Sequence, residues 1–187
     1  MSWTQVMETL RSEFADLNDV EQLTRVSTRL VVAVLLGAAI GWERERRHSA
    51  AGLRTHMLVA LGAALFVVAP AQSGLDADGM SRVLQGVISG IGFLGAGAVL
   101  KLSDQGEIRG LTTAASIWAT AAIGVAVGSG REATGLLATL IVLMILGVVA
   151  RMEVYQSQRD ATAVTEADTA PPPRPRRRAT DATDEEA

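Results

Sequence analysis

The sequence predicts an all-α membrane protein, a helix bundle with about five transmembrane helices. Hydrophobic residues make up 49% and charged residues 20% of its 187 residues. The charged residues are concentrated at 1–29, 43–54, 101–109 and beyond 151, and long apolar runs separate these clusters. A soluble domain interleaves the two classes with a regular period, so their segregation is typical of membrane helices. Successive short segments of alternating polarity, which indicate a membrane β-barrel, do not occur in the sequence.

Each predicted span has enough residues for the hydrocarbon core, which a helix of roughly 17–25 residues crosses. The five spans cover residues 23–42, 55–71, 82–100, 111–127 and 132–150. Asp19 and Gln22 form a capping pattern that begins the first span. Pro70 and the turn-rich residues after it end the second span. These spans define a transmembrane domain at residues 19–151.

The two ends of the chain differ in pattern from this domain. Residues 1–18 carry Trp3 and Leu10 on one side of a helical period and Glu8 and Arg11 on the other. This pattern predicts an amphipathic helix lying in the membrane interface. The final segment, 152–187, is rich in alanine, threonine, proline and charge. This segment has too little apolar surface to offset the conformational entropy lost on ordering. The composition therefore predicts a disordered cytoplasmic tail.

Basic residues in the short loops predict the orientation of the bundle. They follow the first, third and fifth spans: Arg44, Arg46, Arg47, Arg54, Lys101, Arg109 and Arg151. Short loops rich in lysine and arginine face the cytoplasm. With five crossings, the N-terminus therefore lies outside and the C-terminus inside.

Glycines recur at the spacing that lets membrane helices approach each other closely. The predicted helix-packing residues are Gly37, Gly41, Gly86, Gly90, Gly92, Gly95, Gly124 and Gly128. Residues 90–95 also match G-x-G-x-x-G, but no strand precedes them, so a dinucleotide site is rejected. An alternative is that these glycines break the third span and expose backbone carbonyls, which is tolerated only beside protein or a water-filled cavity.

Polar groups inside the spans are candidates for function because burying them in lipid is costly. Arg29 lies about twelve residues before the cytoplasmic end of its span, nearly 20 Å from that interface, in the outer half unless its side chain snorkels. Gln85 lies within the third span, and Thr112 and Thr113 begin a hydroxyl-bearing stripe on the fourth. Serine and threonine also bond back to their own helix, so the stripe has a purely structural reading as well.

Two carboxylates, Glu43 and Glu45, stand among arginines at the predicted membrane edge. Positive-inside anchoring explains the arginines but leaves the carboxylates unexplained. The carboxylates either form a local ion-pair lock or offer hard oxygen ligands to a hydrated Mg²⁺. The residues themselves favour the lock. His48 and His56 have no third ligand nearby, so a transition-metal site is not expected.

Four segments together resemble the MgtC/SapB family of bacterial inner-membrane proteins, over about residues 26–150. They read GAAIGWERE at 37–45, AGLRTH at 51–56, GIGFLGAG at 90–97 and GLTTAASIW at 110–118. The resemblance implies a multi-pass inner-membrane protein with a role in magnesium limitation, membrane potential or intracellular survival. The family-motif positions are Glu43, Arg44, Glu45, Arg54, Thr55, Thr112 and Thr113. Longer members carry a folded soluble domain after the membrane part, whereas this chain has a short tail.

Two functions are weighed on this basis. In the first, the protein is not an enzyme and supports magnesium homeostasis by modulating other membrane proteins. Its expected partners are the lipid bilayer, other inner-membrane proteins and a second copy in a homodimer, without nucleic acid or a cofactor. In the second, the protein is a carrier or channel in which Mg²⁺ is the ligand or transported ion. A dry interior favours the first function, and a hydrated cavity reaching Gln85 and Thr120 favours the second.

Overall fold

The computed structural model describes residues 2–13, 19–100, 110–148 and 151. The helices in this part of the chain are α1 (Trp3–Glu13), α2 (Val20–Arg46), α3 (Leu53–Gln72), α4 (Ala77–Leu100), α5 (Leu111–Gly128) and α6 (Glu132–Val148). These residues contain no strand. The predicted all-α fold is therefore confirmed. The predicted tail at 152–187 and the basic loop at 101–109 lie outside the described residues.

Four helices, α2 to α5, are long and apolar enough to cross a membrane, whereas α6 is apolar but shorter. A fifth crossing by α6 stays a prediction. α2 has 27 residues and extends beyond its predicted span at both ends. α4 begins five residues before its predicted start, because the Asp76 carboxylate accepts a hydrogen bond from the Gly79 backbone N–H at 2.8 Å and caps its first turn.

The chain divides by its contacts into residues 1–146 and 147–187, and the packing described here belongs to the first unit. α3 lies between α2 and α5 in that unit. α2 runs antiparallel to α3, while α5 runs parallel to it, so α2 ends where α3 and α5 begin. We call this end of the bundle the basic end, since Arg44, Arg46, Arg47 and Arg54 lie there.

Small residues make the contacts between these three helices very close. A Cβ atom on Gly37 would lie 2.6 Å from the His56 carbonyl oxygen, and one on Gly41 would lie 2.7 Å from the Leu53 Cα. These distances are shorter than van der Waals contact, so α2 approaches α3 backbone to backbone. Such approach is how membrane helices gain dispersion energy where lipid supplies no hydrophobic drive.

The same kind of contact joins α5 to the other side of α3. A Cβ on Gly128 would lie 2.7 Å from the Ala64 carbonyl oxygen, and Gly124 lies equally close to Ala60. α6 closes over this group through Gly135, where a Cβ would lie 2.6 Å from a Val127 methyl group. The buried hydrophobic cluster is Ala33, Leu36, Ile40, Ala60, Ala64, Ile123, Val127 and Leu146.

α4 differs from the other spans in its packing. None of its residues 77–99 is buried, and its contacts with α3 are sparse. No atom lies within 4 Å of a Cβ built on Gly86, Gly90 or Gly92, and Gly95 makes only ordinary contact with Ala114 at 3.6 Å. α4 is nevertheless continuous from Ala77 to Leu100, so the alternative that these glycines break the span is wrong. In lipid, backbone groups have no water to bond, so the helix persists although each glycine costs about 1 kcal/mol relative to alanine.

Candidate functional site

The turn that follows α2 holds the first part of a polar network at the basic end. The Ser49 N–H donates to the Arg44 carbonyl at 3.0 Å, and the His48 N–H donates to the Glu45 carbonyl at 3.0 Å. His48 itself adopts a left-handed backbone conformation with φ 54°. This is the Schellman arrangement, which usually has glycine at the left-handed position. The turn therefore fixes where the chain leaves α2 and places Ser49 against α5.

Glu43 is the centre of an ion-pair group on the last turns of α2. Its Oε1 accepts a hydrogen bond from Arg47 Nε at 3.2 Å, and its Oε2 lies 3.6 Å from a terminal nitrogen of Arg44. The side chains of Glu43 and Arg44 are 20% and 12% exposed. Glu43 Oε2 and Arg44 Nε are buried and have no hydrogen-bond partner among the described residues, so the Glu43–Arg44 pair is held by charge attraction alone. Partial burial reduces solvent screening of this attraction.

Glu45 reaches across the loop to the start of α3. Its Oε2 accepts a hydrogen bond from the Leu53 N–H at 2.9 Å. A Cβ on Gly52 would occupy the position of that oxygen, so this contact requires glycine at 52. The first amides of a helix lack intrahelical partners and carry the positive end of the helix dipole. Glu45 therefore closes the loop by capping α3 with a negative charge.

His56 joins α3 to α5 inside the bundle. The residue is fully buried, with Nδ1 2.9 Å from the Gly52 carbonyl oxygen and Nε2 3.2 Å from Ser116 Oγ. A carbonyl only accepts hydrogen bonds, so Nδ1 carries a proton and donates it. The imidazole therefore bridges the two helices that begin at the basic end.

The buried hydroxyl groups of α5 complete the network. The single Ser116 O–H has two acceptors within reach, His56 Nε2 at 3.2 Å and the Thr113 carbonyl at 2.8 Å, and it donates to one of them at a time; Thr120 Oγ1 donates to the Ser116 carbonyl at 2.8 Å. The Thr113 and Ser49 hydroxyl oxygens lie 3.0 Å apart, which ties α5 to the turn after α2. These groups satisfy one another and their own backbone, as the structural reading of the stripe expects.

The other predicted site residues lie away from this network. Thr112 is exposed at the start of α5, and Gln85 is exposed on α4. Arg54 and Thr55 are exposed on α3 and line a cleft that faces α4. Their side chains therefore point away from the buried network, although the motif places them next to it in the sequence.

Arg29 lies at the opposite end of the bundle. A terminal nitrogen of Arg29 donates to the Gly128 carbonyl at 3.2 Å, and its Nε lies 3.7 Å from a Glu132 carboxylate oxygen. A Cβ on Gly130 would collide with the guanidinium group. Cations stabilise the C-terminal end of a helix, where carbonyls lack partners. Arg29 therefore caps α5 and holds the turn between α5 and α6.

Sequence reasoning missed Ser49 and the role of His56, and it included Ser116 only as a member of the hydroxyl-bearing stripe. His56 was considered only as a metal ligand and rejected. A signal was available, because a histidine one turn inside an apolar helix needs a hydrogen-bonding partner. The sequence could not identify that partner, since Ser116 follows 60 residues later.

The carboxylates do not fit a resident Mg²⁺ site. Glu43 faces two guanidinium groups, whereas Glu45 faces a backbone amide on a different helix. Mg²⁺ requires oxygen ligands that converge in octahedral geometry. Within the described part of the chain, no group of three or more His, Cys, Asp or Glu residues is placed to hold a metal ion.

Comparison with known proteins identifies the family. The model of the MgtC family matches residues 30–155. The chain belongs to the MgtC family. It is 44% identical over 139 residues to Protein SrpB of Synechococcus elongatus, covering 68% of this chain and 76% of SrpB. It is 46% identical over 114 residues to Protein MgtC of Salmonella typhimurium, covering 61% of this chain and 48% of that protein.

A third relative bears a functional name. "Putative magnesium transporter YhiD" of Escherichia coli K12 is 42% identical over 127 residues, covering 64% of this chain and 58% of YhiD. The chain thus spans about half the length of MgtC and of YhiD. No solved structure matches the chain. The resemblance predicted from the four sequence segments is confirmed, and the chain is an α-helical membrane protein of this family.

Proposed function

We propose that this MgtC family protein supports magnesium homeostasis in the bacterial inner membrane by modulating other membrane proteins, without catalysing a reaction. The magnesium connection is supported by the name that its relative YhiD bears. The inner membrane is supported by the apolar helices that are long enough to span and by the arginines at the basic end, because basic ends of membrane helices face the cytoplasm.

One observation carries the modulatory role: both carboxylates at the end of α2 interact with the protein itself. Glu43 pairs with Arg44 and Arg47, and Glu45 caps α3. A carrier for a divalent cation needs carboxylates that can bind the ion and release it along a path. Carboxylates already engaged in holding helix ends are poorly suited to that task and well suited to giving the basic end a fixed shape.

The interior of the bundle supports the same conclusion. Thr120 is fully buried and bonds to its own helix, and Gln85 is exposed on the outside of α4. A water-filled path joining them would give the Thr120 hydroxyl solvent contact. The hydrophobic cluster between the helices is instead formed by closely packed alanine, leucine, isoleucine and valine side chains, and the buried hydroxyl groups and the imidazole beside it bond to the protein itself. A dry interior of this kind offers a hydrated Mg²⁺ no route.

In this role the protein acts through its surface. Its partners are the lipid bilayer, other inner-membrane proteins and a second copy of itself. Large hydrophobic side chains such as Phe93 and Trp118 are 82% and 54% exposed, which gives partner helices an apolar surface to contact. The basic end, whose shape Glu43 and Glu45 hold, faces the cytoplasm at a defined position.

The deciding experiment measures Mg²⁺ flux and growth with the same set of proteins. The purified chain, a Glu43→Gln/Glu45→Gln variant and an Arg46→Gln control are placed in vesicles that contain a Mg²⁺-sensitive dye. The same genes are expressed at low Mg²⁺ in a bacterium that lacks its own family member. We expect restored growth with the wild type and the control, reduced growth with the double variant, and flux equal to that of empty vesicles in every case.

Two results would contradict the proposal. Flux above that of empty vesicles, lost in the double variant, makes the protein a transporter. This alternative is favoured by the name that YhiD bears, putative magnesium transporter. Failure of the wild type to restore growth, when the protein is shown to be inserted and folded, removes the role in magnesium homeostasis.

A further inference from the structure

A cleft of about 810 Å³ opens between α3 and α4 on the outside of the packed core. It exists because the two helices make few contacts and because glycine supplies no side chain to fill the space. Its lining includes Arg54, Thr55, Gly62 and Phe66 of α3 and, across from them, Gly86 and Gly90 of α4. It faces the surroundings of the bundle, so in a membrane its natural contents are lipid or another helix.

The polarity of the cleft is strongly one-sided. Arg54 and Thr55 lie at the basic end, and the remainder of the lining is apolar. No carboxylate of the described residues lies within 4 Å of the Arg54 guanidinium group, since the ion pairs there involve Arg44 and Arg47. A cleft with a cation at one end and hydrocarbon along the rest is complementary to an amphiphile with a negative head and an apolar chain.

The length of the cleft matches one leaflet of a bilayer. Arg54 and Phe66 mark its two ends on α3, and the twelve residues between those positions rise roughly 18 Å at 1.5 Å per residue. Half of the ~30 Å hydrocarbon core is about 15 Å. A partner helix that crossed the whole bilayer would need a groove about twice as long, so the dimensions favour an acyl chain.

We propose that this cleft binds one anionic phospholipid from the leaflet at the basic end. The phosphate and headgroup contact the Arg54 guanidinium and the Thr55 hydroxyl, and an acyl chain lies along Gly62, Gly86 and Gly90. The lipid thereby fills the space between α3 and α4. The site does not depend on whether the protein modulates partners or moves Mg²⁺.

The choice of an anionic lipid follows from the charges at the mouth of the cleft. Among the described residues Arg54 contributes a cation without a close carboxylate, whereas Arg46, exposed at the same end of the bundle, does not line the cleft. Basic residues near a membrane surface attract anionic lipids, and Arg54 additionally meets the lipid in a fixed cleft. A zwitterionic headgroup places its own cation near these arginines, which weakens its binding.

Matched glycine variants test the site. Gly90 lines the cleft and Gly92 does not, yet both lie on α4 with no atom within 4 Å of an added Cβ. Gly90→Leu therefore directs a side chain into the cleft from a position with room for its Cβ, and Gly92→Leu makes the same change elsewhere. Native mass spectrometry of the full chain, released from vesicles of phosphatidylglycerol and phosphatidylcholine, then counts retained lipid. Should Gly90→Leu fail to fold, Gly86→Leu with Gly97→Leu as control provides the same contrast.

We expect the wild type and Gly92→Leu to retain one phosphatidylglycerol, and Gly90→Leu to lose it. The preference for phosphatidylglycerol over phosphatidylcholine should fall about fivefold in Arg54→Gln and stay nearly unchanged in Arg46→Gln. Equal retention by the two leucine variants, or an equal loss of preference in the two arginine variants, overturns the proposal. A wild-type dimer that Gly90→Leu dissociates also overturns it, because a second copy would then occupy the cleft.

Discussion

Two glycine pairs with identical spacing behave differently in this protein. Gly124 and Gly128 of α5 lie against the backbone of α3, whereas Gly86 and Gly90 of α4 face open space. The difference lies in what stands opposite each pair. α5 meets the alanines of α3, while α4 faces the bulky Leu58 and its neighbours along the cleft. Glycine spacing therefore permits close approach, and small residues on the partner helix decide whether it occurs.

The largest expected change in the free energy of unfolding comes from replacing a glycine by leucine, once in the packed helix α5 and once in the open helix α4. Gly124→Leu forces a side chain into the Ala60 backbone and should lower the free energy of unfolding by about 3 kcal/mol or prevent folding. An added Cβ at Gly92 meets no atom within 4 Å, and leucine is the better helix former, so Gly92→Leu should not lower the free energy of unfolding. Thermal unfolding in detergent measures both. Equal losses would mean that α4 packs as tightly as α5.

The two sides of α3 itself provide the next test. His56 bonds to Ser116 on the packed side, and Thr55 lies on the open side. His56→Leu should lower the free energy of unfolding by about 1–2 kcal/mol because a buried hydrogen bond is lost. Thr55→Val should have almost no effect. A double-mutant cycle of His56→Leu with Ser116→Ala isolates the energy of this hydrogen bond. A coupling energy near zero would show that the bond does not stabilise the fold.

The helix beginnings extend the comparison to smaller energies. Glu45 caps α3 in the packed core, and Asp76 caps the open helix α4. Glu45→Ala should lower the free energy of unfolding by about 1 kcal/mol, the usual loss of a helix cap. Asp76→Ala should instead increase amide exchange in the first turn of α4, because that helix opens locally. Glu45→Gln should lose less than Glu45→Ala, since its amide oxygen still accepts the bond but no longer carries the negative charge. If Asp76→Ala lowered the free energy of unfolding and Glu45→Ala changed only local amide exchange, the assignment of α3 to the core would be contradicted.

A small stabilisation is expected at the end of α2. His48 occupies the left-handed position of its turn with φ 54°, where α3 and α5 have Gly74 and Gly130. A side chain in that conformation costs about 1 kcal/mol, so His48→Gly should raise the free energy of unfolding by up to that amount. Thermal unfolding beside His48→Ala, which keeps the strain, measures the difference. Identical midpoints for the two variants would show that the turn carries no strain.

Much of the fold was predictable because membrane helices follow from composition. The apolar runs located α2 to α5 to within a few residues, and the capping pattern at Asp19 was correct, since its carboxylate accepts from the Glu21 N–H at 3.1 Å. The extension of α2 through Arg46 was missed. Glutamate and arginine are good helix formers, so a charged segment continues a helix past the apolar run.

The candidate site was predictable only in part. Glu43 and Arg44 stood out because carboxylates at a membrane edge need cationic partners, and the lock is what the structure contains. His56 and Ser116 did not stand out, because the bond between them depends on the register of two helices 60 residues apart. Glycine spacing likewise named Gly86 beside Gly124 without distinguishing their surroundings. A contact between two distant helices depends on which residue of one helix faces which residue of the other. The sequence of either helix alone does not specify that pairing.

The unequal lengths of α2 and α5 make the bundle responsive to bilayer thickness. α2, with 27 residues, is about 40 Å long and reaches through both headgroup layers, while α5, with 18 residues, is about 27 Å long and barely matches the hydrocarbon core. Arg29 fastens α2 to the end of α5. In a thicker membrane α2 is still long enough to cross the hydrocarbon core, but α5 is too short. The difference between the length of α5 and the core thickness then strains the contacts at its two ends, which are the Arg29 hydrogen bond and the Thr113 hydroxyl contact.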